Sequence, residues 1–246
     1  QVLEARFPDL CATQPELLAH HYTEGNLGEQ AIGYWQQAGR RASLRSSYEE
    51  ATSHLMKGLE VLQTVPATPQ RTQQELLLWT TLGATLIAHK GYAAPDVEHA
   101  YARARQLCQQ VGTSSRLLQV LLGLHAFYLV RSELQTARDL GEKCLALAQQ
   151  RDDPPRLPHA YFALGITLFF LGEFVPARQH LEQSVALYDP ERHRTRALLD
   201  TGVSSLVLTS WTLWHLGYPD QALTRSHEAL SMAQGLPSPF SLAYAQ

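Results

Sequence analysis

The stretch LGITLFFLGEFVPARQHLEQSV, Leu164 to Val185, carries a spacing that recurs along the whole chain, and this repetition restricts the fold more than any other feature. Within it Leu168 follows Gly165 by three residues, Ala177 follows Leu168 by nine, and Leu181 follows Ala177 by four. The same ruler places Leu124, Tyr128, Ala137 and Cys144 in one segment, and Leu213, Ala222, Ser226 and Ala229 in another. Near the start it places Tyr22, Ala31, Trp35 and Ala38. Apolar spacing is helical almost throughout and strand-type alternation is scarce. A unit of this length cannot bury its apolar face alone, so copies must stack to form a continuous core.

The residue types explain the spacing. Gly83 and Gly165 let two helices approach closely, and the small Ala31, Ala137, Ala177 and Ala222 do the same from the second helix. In LGEF, Gly172 ends the first helix of a pair in a left-handed conformation at little cost. Pro176 then falls in the first turn of the second helix, where its missing N–H is harmless. HLGYPDQAL repeats the construction with Gly217 and Pro219. Six units are expected, anchored on Ala31, Ala51, Ala100, Ala137, Ala177 and Ala222. Ala31 and Ala51 lie only twenty residues apart, so the helix near Glu29 to Arg45 is expected to serve two units. KGYAAPDVE and YDPERHRTRALLDTG read as insertions, and the proline-containing QTVPATPQRT and QQRDDPPRLP as loops between units.

Trp79-x2-Leu82-Gly83, and Tyr161-x2-Leu164-Gly165-x2-Leu168-x8-Ala177-x3-Leu181 closing near Pro190, resemble the tetratricopeptide repeat. The expected fold is all-α, a right-handed superhelical array of antiparallel helix pairs: a tetratricopeptide-like α-solenoid. The phrases QPELLAHHYTEGN, EQAIGYWQQAGRRA, SSYEEATSHLMKGLEVL and KGYAAPDVEHAYARARQLCQQVG are similar to the repeat region of large bacterial signalling ATPases. In that family the array follows a P-loop NTPase of the STAND or AAA-like kind, often attached to a class III nucleotide cyclase, a kinase or a transcription-regulator domain. The resemblance implies that residues 1–10 end a helix of the ATPase side and that residues 11–246 form the solenoid. A first residue of Gln1 rather than Met fits a piece of something longer. HRTRALLDTGVSSLVLTSWTLW departs from the family pattern.

Composition excludes several functions. The net charge of -3 gives no electrostatic case for nucleic acid or an anionic membrane. Spanning a bilayer takes about 20 apolar residues. The run from Ala163 stops at Gly172-Glu173, and VSSLVLTSWTLWHLGY is interrupted by Ser204, Ser205, Ser210 and His215. Cys11, Cys108 and Cys144 are far apart and odd in number, with no CxxC, so neither a disulfide framework nor a zinc site is indicated. Reduced thiols point to a cytoplasmic setting, and no cofactor or metal is expected. There is no G-x4-G-K-[ST] phosphate cradle.

Single titratable residues read as structural. His20 and His21 are neighbours on a helix and point about 100° apart, which suits no chelate. His99, His125, His159 and His215 fall in different units without partner spacing, and Glu49-Glu50 and Asp152-Asp153 read as a solvated face and a loop. No nucleophile, base and orienter can be assembled, so no enzyme is expected.

The resemblance also implies a binding groove lined by five positions of each first helix. In one unit these are His159, Phe162, Ile166, Phe169 and Phe170; in the next, Ser204, Val207, Trp211, Trp214 and His215. Exposed aromatics there favour a peptide or an apolar ligand. Two functions follow: an interaction or sensor arm that binds a partner protein or another domain of its own polypeptide, or an array that receives a small-molecule inducer.

Overall fold

The computed structural model describes residues 13–112, 116–150, 155–190 and 199–246. Among them are twelve α-helices and no strand. The first six are α1 (Pro15–Glu24), α2 (Gly28–Leu44), α3 (Tyr48–Leu62), α4 (Pro69–Lys90), α5 (Pro95–Val111) and α6 (Leu117–Val130). The rest are α7 (Leu134–Gln150), α8 (Leu157–Phe170), α9 (Phe174–Leu187), α10 (Thr201–His215), α11 (Pro219–Gln234) and α12 (Pro239–Ala245). The segment expected to end an ATPase-side helix, residues 1–10, lies outside the described residues, as do Cys11, Asp152 and Asp153.

One turn, used five times, builds the helix pairs. Asn26, Ser46, Ser132, Gly172 and Gly217 each adopt positive φ, between 54° and 84°. Each stands five residues before one of the anchoring alanines: Ala31, Ala51, Ala137, Ala177 and Ala222. At each turn the next residue's N–H reaches back to a carbonyl five positions earlier, from Leu27 to Tyr22, Ser47 to Ala42, Glu133 to Tyr128, Glu173 to Leu168 and Tyr218 to Leu213, at 2.9–3.0 Å. The left-handed residue itself donates to the carbonyl three positions earlier, at 3.0–3.1 Å. These two bonds satisfy the orphan carbonyls of the finishing helix and define the Schellman ending. Each residue after the left-handed one accepts the first N–H of the following helix, from the anchoring alanine, at 2.9–3.0 Å. The chain thus reverses in about three residues, and consecutive helices pack antiparallel.

All six anchoring alanines are buried. Twelve residues before Ala51 and before Ala177, the first helix carries a glycine that faces the second helix. A Cβ on Gly39 would come within 2.6 Å of Leu55, and one on Gly165 within 2.8 Å of Leu181, each leucine four residues past its anchor. Close packing of this kind leaves no room for a methyl group without movement. As expected, α2 packs against both α1 and α3 and so belongs to two pairs. The sixth pair, α4–α5, uses the longer connection Gly91–Ala94 in place of the common turn.

The chain forms two compact units, residues 1–123 and 124–246. The division falls inside α6 and at neither proline-containing linker. In the first unit Tyr101 of α5 lies flat between Gly83 of α4 and Gly123 of α6. Glu75 of α4 is buried and accepts both Nε and Nη2 of Arg103 from α5, at 3.0 and 2.7 Å. In the second unit α10 is the central helix, packed by α8, α9, α11 and α12.

Thr201 to Ser210 of α10 are all buried, which explains why that helix departs from an amphipathic pattern. Its hydroxyls are satisfied locally. Ser204, Thr209 and Thr212 donate to carbonyls one turn back, at 2.6–2.7 Å. Ser205 bonds Ser184 of α9 at 2.8 Å, and Ser210 donates to the Ala222 carbonyl of α11 at 2.8 Å.

Candidate functional site

The first helices α8 and α10 lie side by side, and their C-terminal ends carry a connected group of rings. Phe169 is at its centre. Its ring centroid is 5.4 Å from Phe170, 5.6 Å from Phe174, 6.2 Å from Trp211 and 5.6 Å from His215. His215 stacks on Phe174 at 4.7 Å and donates from Nδ1 to the Trp211 carbonyl at 2.8 Å. Trp211 extends the group to Tyr244 of α12 at 6.1 Å. The tilted and edge-on angles are those that the ring quadrupoles favour.

Helical spacing places Trp211, Trp214 and His215 on one face of α10, at i, i+3 and i+4. Phe169 and Phe170 end α8, and the tight turn at Gly172 returns Phe174 beside them. The result is an apolar surface with large open rings: Trp214 is 66% exposed, Phe170 53% and Trp211 44%. Such grouped exposure on a folded surface marks an interaction site more often than scattered single apolar residues do.

Eight of the ten positions expected to line the groove reach the surface. His159, Phe162, Ile166 and Phe169 are half-buried; Phe170, Trp211, Trp214 and His215 are exposed. Ser204 and Val207 do not join them. Val207 is buried in a cluster with Ala229, Ala233 and Ala245, against which Leu242 and Tyr244 also pack. Ser204 turns its hydroxyl onto the Asp200 carbonyl. The physical reason is α12, which packs on α10 and covers the N-terminal half of that face. Sequence reasoning missed Phe174, Tyr244 and this covering helix. SPFSLAYA was the available signal, a serine N-cap and a proline opening a short apolar run.

Among the titratable groups away from this face, His125 and Cys144 are buried. His125 of α6 is buried and its Nε2 lies 2.8 Å from Thr167 Oγ1 of α8. Burial lowers its pKa to about 4, against the opposing pull of a hydrogen bond to the Ala163 backbone. Burial pushes the Cys144 thiol up to about 12, which removes it as a nucleophile near neutral pH. His20 and His21 have ring centroids 6.1 Å apart, and no group of three or more His, Cys, Asp or Glu side chains among the described residues is placed to hold a metal ion.

The fold and this surface define a tetratricopeptide-like α-solenoid with an aromatic face. The sequence model of the tetratricopeptide repeat family matches residues 116–189. Among solved structures, aspartyl phosphate phosphatase F from Bacillus subtilis superposes with a TM-score of 0.69 at 13% identity, over 89% of this chain and 55% of that one. NprR in complex with its cognate peptide NprX gives a TM-score of 0.65 at 13% identity, over 89% of this chain and 59% of that one. A Rap protein complexed with competence and sporulation factor gives 0.66 at 14%, over 84% and 55%. At these identities the likeness is one of fold.

An uncharacterized protein of Rhizobium meliloti (strain 1021) is 22% identical over 223 residues, covering 85% of this chain and 21% of its own length. This chain therefore spans about half the length of those structural relatives and about a fifth of that sequence relative. No helix among the described residues is long and apolar enough to cross a membrane.

Proposed function

We propose that this chain is a non-catalytic binding module that takes a polypeptide on the aromatic face of α8 and α10. The partner is another protein or a further domain of its own polypeptide. The observation that carries this reading is the open position of Trp214, Trp211 and Phe170, beside an α10 whose first ten residues are wholly buried. A large ring left in water forgoes about 1.5–3 kcal/mol of burial that a partner can supply. Structures of like fold that contain a peptide, NprR with its cognate peptide NprX and the Rap conjugation gene regulator of the plasmid pLS20 with the Phr* peptide, support a polypeptide as the ligand.

The setting we propose is the sensing arm of a larger bacterial signalling ATPase in the cytoplasm, as the repeat-region resemblance implies. The arm switches its ATPase only if its ligand prefers one arrangement of the two. The test adds the array in trans to the ATPase half encoded beside it and measures binding and nucleotide turnover, with Trp214→Ala as control. Binding that the substitution weakens at least about tenfold supports the reading. Absence of binding to the ATPase half and to any protein of the source cell removes it. Stabilisation by a metabolite in a thermal-shift screen, lost in the same variant, would assign the face to a small-molecule inducer instead.

A further inference from the structure

The charges of the second unit are segregated by helix. α6, α8 and α10, the first helices of three successive pairs, contain no Asp, Glu, Lys or Arg at any position, and neither does α12. Their partners carry Arg138, Asp139, Glu142 and Lys143 on α7, Arg178 and Glu182 on α9, and Asp220, Arg225 and Glu228 on α11. The other described charges, Arg131, Glu133, Arg156, Glu173, Asp189 and Asp200, stand in the connections. The first unit is different. There the first helices hold Glu16 and Glu24 on α1, Glu29, Arg40 and Arg41 on α2, and Arg71, Glu75 and Lys90 on α4. The aromatic face thus belongs to helices that carry no formal charge along their own length, including the solvent-facing positions Val130, Phe170, Trp211 and Trp214, while Arg131 and Glu173 stand at the turns that follow α6 and α8.

A ligand is matched to the charge of the surface it meets. A charged side chain or terminus laid on α8 or α10 would lose hydration and find no counter-charge on those helices, and the Glu173 carboxylate at their border is already paired with Arg138, so the burial is costly. α12 shows what such a surface accepts. Its sequence PFSLAYA is uncharged, and it lies on α10 through Tyr244 against Trp211 and Ala245 in the Val207 cluster. The rings beyond its footprint offer the same chemistry without a cover.

Resting on the binding-module reading, we infer that the partner segment is itself uncharged and rich in aromatic and aliphatic side chains. It is held by ring contacts and apolar burial rather than by clamping of a terminal carboxylate or an acidic or basic motif. Specificity then comes from the shape of the row Phe170–Trp211–Trp214, and affinity is nearly independent of ionic strength.

The experiment is a selection from a random linear-peptide display library on the full chain, with counter-selection on Trp214→Ala. Trp214 is exposed, so its loss should leave the fold intact, and circular dichroism with a melting curve checks this. The expected result is a set of peptides with few charged residues, each weakened at least about tenfold by Trp214→Ala. Their affinity is expected to change by no more than about twofold between low salt and about 0.5 M salt.

Peptides that need this face but carry a fixed acidic or basic residue, or lose affinity steeply with salt, overturn the inference and leave the binding module standing. Recovery of no peptide weakened by Trp214→Ala overturns both. Sedimentation of the free protein adds the remaining outcome. Self-association that disappears in Trp214→Ala would make a second copy the occupant and overturn the assignment to a partner segment.

Discussion

His125 Nε2 and Thr167 Oγ1 join α6 to α8 at 2.8 Å, with both side chains buried. The Thr167 hydroxyl also lies 2.9 Å from the Ala163 carbonyl, so the ring, the hydroxyl and that carbonyl form one buried hydrogen-bonded group. Burial holds the ring neutral near pH 7. With a folded pKa lowered to about 4 against 6.5 when exposed, the unfolded chain binds the extra proton first as pH falls. Stability tied to this group is therefore fully present above pH 6.5 and lost progressively down to about pH 4, by about 3 kcal/mol in total. Urea unfolding across that window should show a flatter profile for His125→Leu than for the wild type. Parallel profiles would mean that the imidazole is not held neutral.

Tyr101 gives a second, purely steric expectation. A Cβ on Gly123 would lie 2.4 Å from its ring and one on Gly83 2.8 Å. Gly83→Ala and Gly123→Ala should each destabilise by about 1–3 kcal/mol through overpacking. Each should be partly rescued by Tyr101→Leu, the signature of coupled neighbours. Gly33, mid-way along α2, is the control: a Cβ there meets nothing within 4 Å. Gly33→Ala should stabilise by about 0.5–1 kcal/mol, since it only restricts the unfolded chain and favours helix. Denaturation midpoints of the three variants decide the point.

The five common turns are not equally well served. Gly172 and Gly217 occupy the left-handed position freely, whereas Ser46 and Ser132 hold φ of 61° and 62° with a Cβ. The left-handed conformation costs an ordinary residue about 1–2 kcal/mol, of which the extra freedom of unfolded glycine returns part. Ser46→Gly and Ser132→Gly should each raise stability by about 0.5–1 kcal/mol, with Gly172→Ala lowering it by a similar amount. Thermal melts in which the serine-to-glycine changes are neutral or harmful would show that the hydroxyls matter at these turns.

These turns also show how far the sequence could be read. Gly172 and Gly217 disclosed two of them, because glycine there has a conformational reason. Asn26, Ser46 and Ser132 disclosed none, since such residues suit many turns. The anchoring alanines still located every helix pair, because burial at the closest approach leaves little choice but a small side chain. Phe169, Phe170, Trp211, Trp214 and His215 came from the repeat's groove positions, which the resemblance supplied, and the structure brings their rings together at the ends of α8 and α10. Val207 and Ser204 share that register and yet are buried, because exposure there depends on α11 and α12, which come later in the chain. Phe174 escaped for a related reason, as it opens the second helix and is carried to the rings by the turn.

Asp200 ties that covering helix to the rest of the second unit. Its Oδ1 accepts the Val203 N–H as N-cap of α10, and its Oδ2 accepts the Tyr188 hydroxyl at 2.6 Å. Its own N–H donates to Ser241 Oγ on α12 at 3.1 Å. Asp200→Ala would lose the cap and leave the tyrosine hydroxyl without its acceptor, and should cost about 2–3 kcal/mol. Tyr188→Phe removes only the hydroxyl and should cost about 1 kcal/mol, while its ring still packs where Gly202 leaves room. If α12 is held through this junction, amide exchange should speed up in α12 and at Val207 in Asp200→Ala, with the α8 amides unchanged. Uniform acceleration across both helices would instead mean that Asp200 stabilises the unit as a whole and has no particular hold on α12.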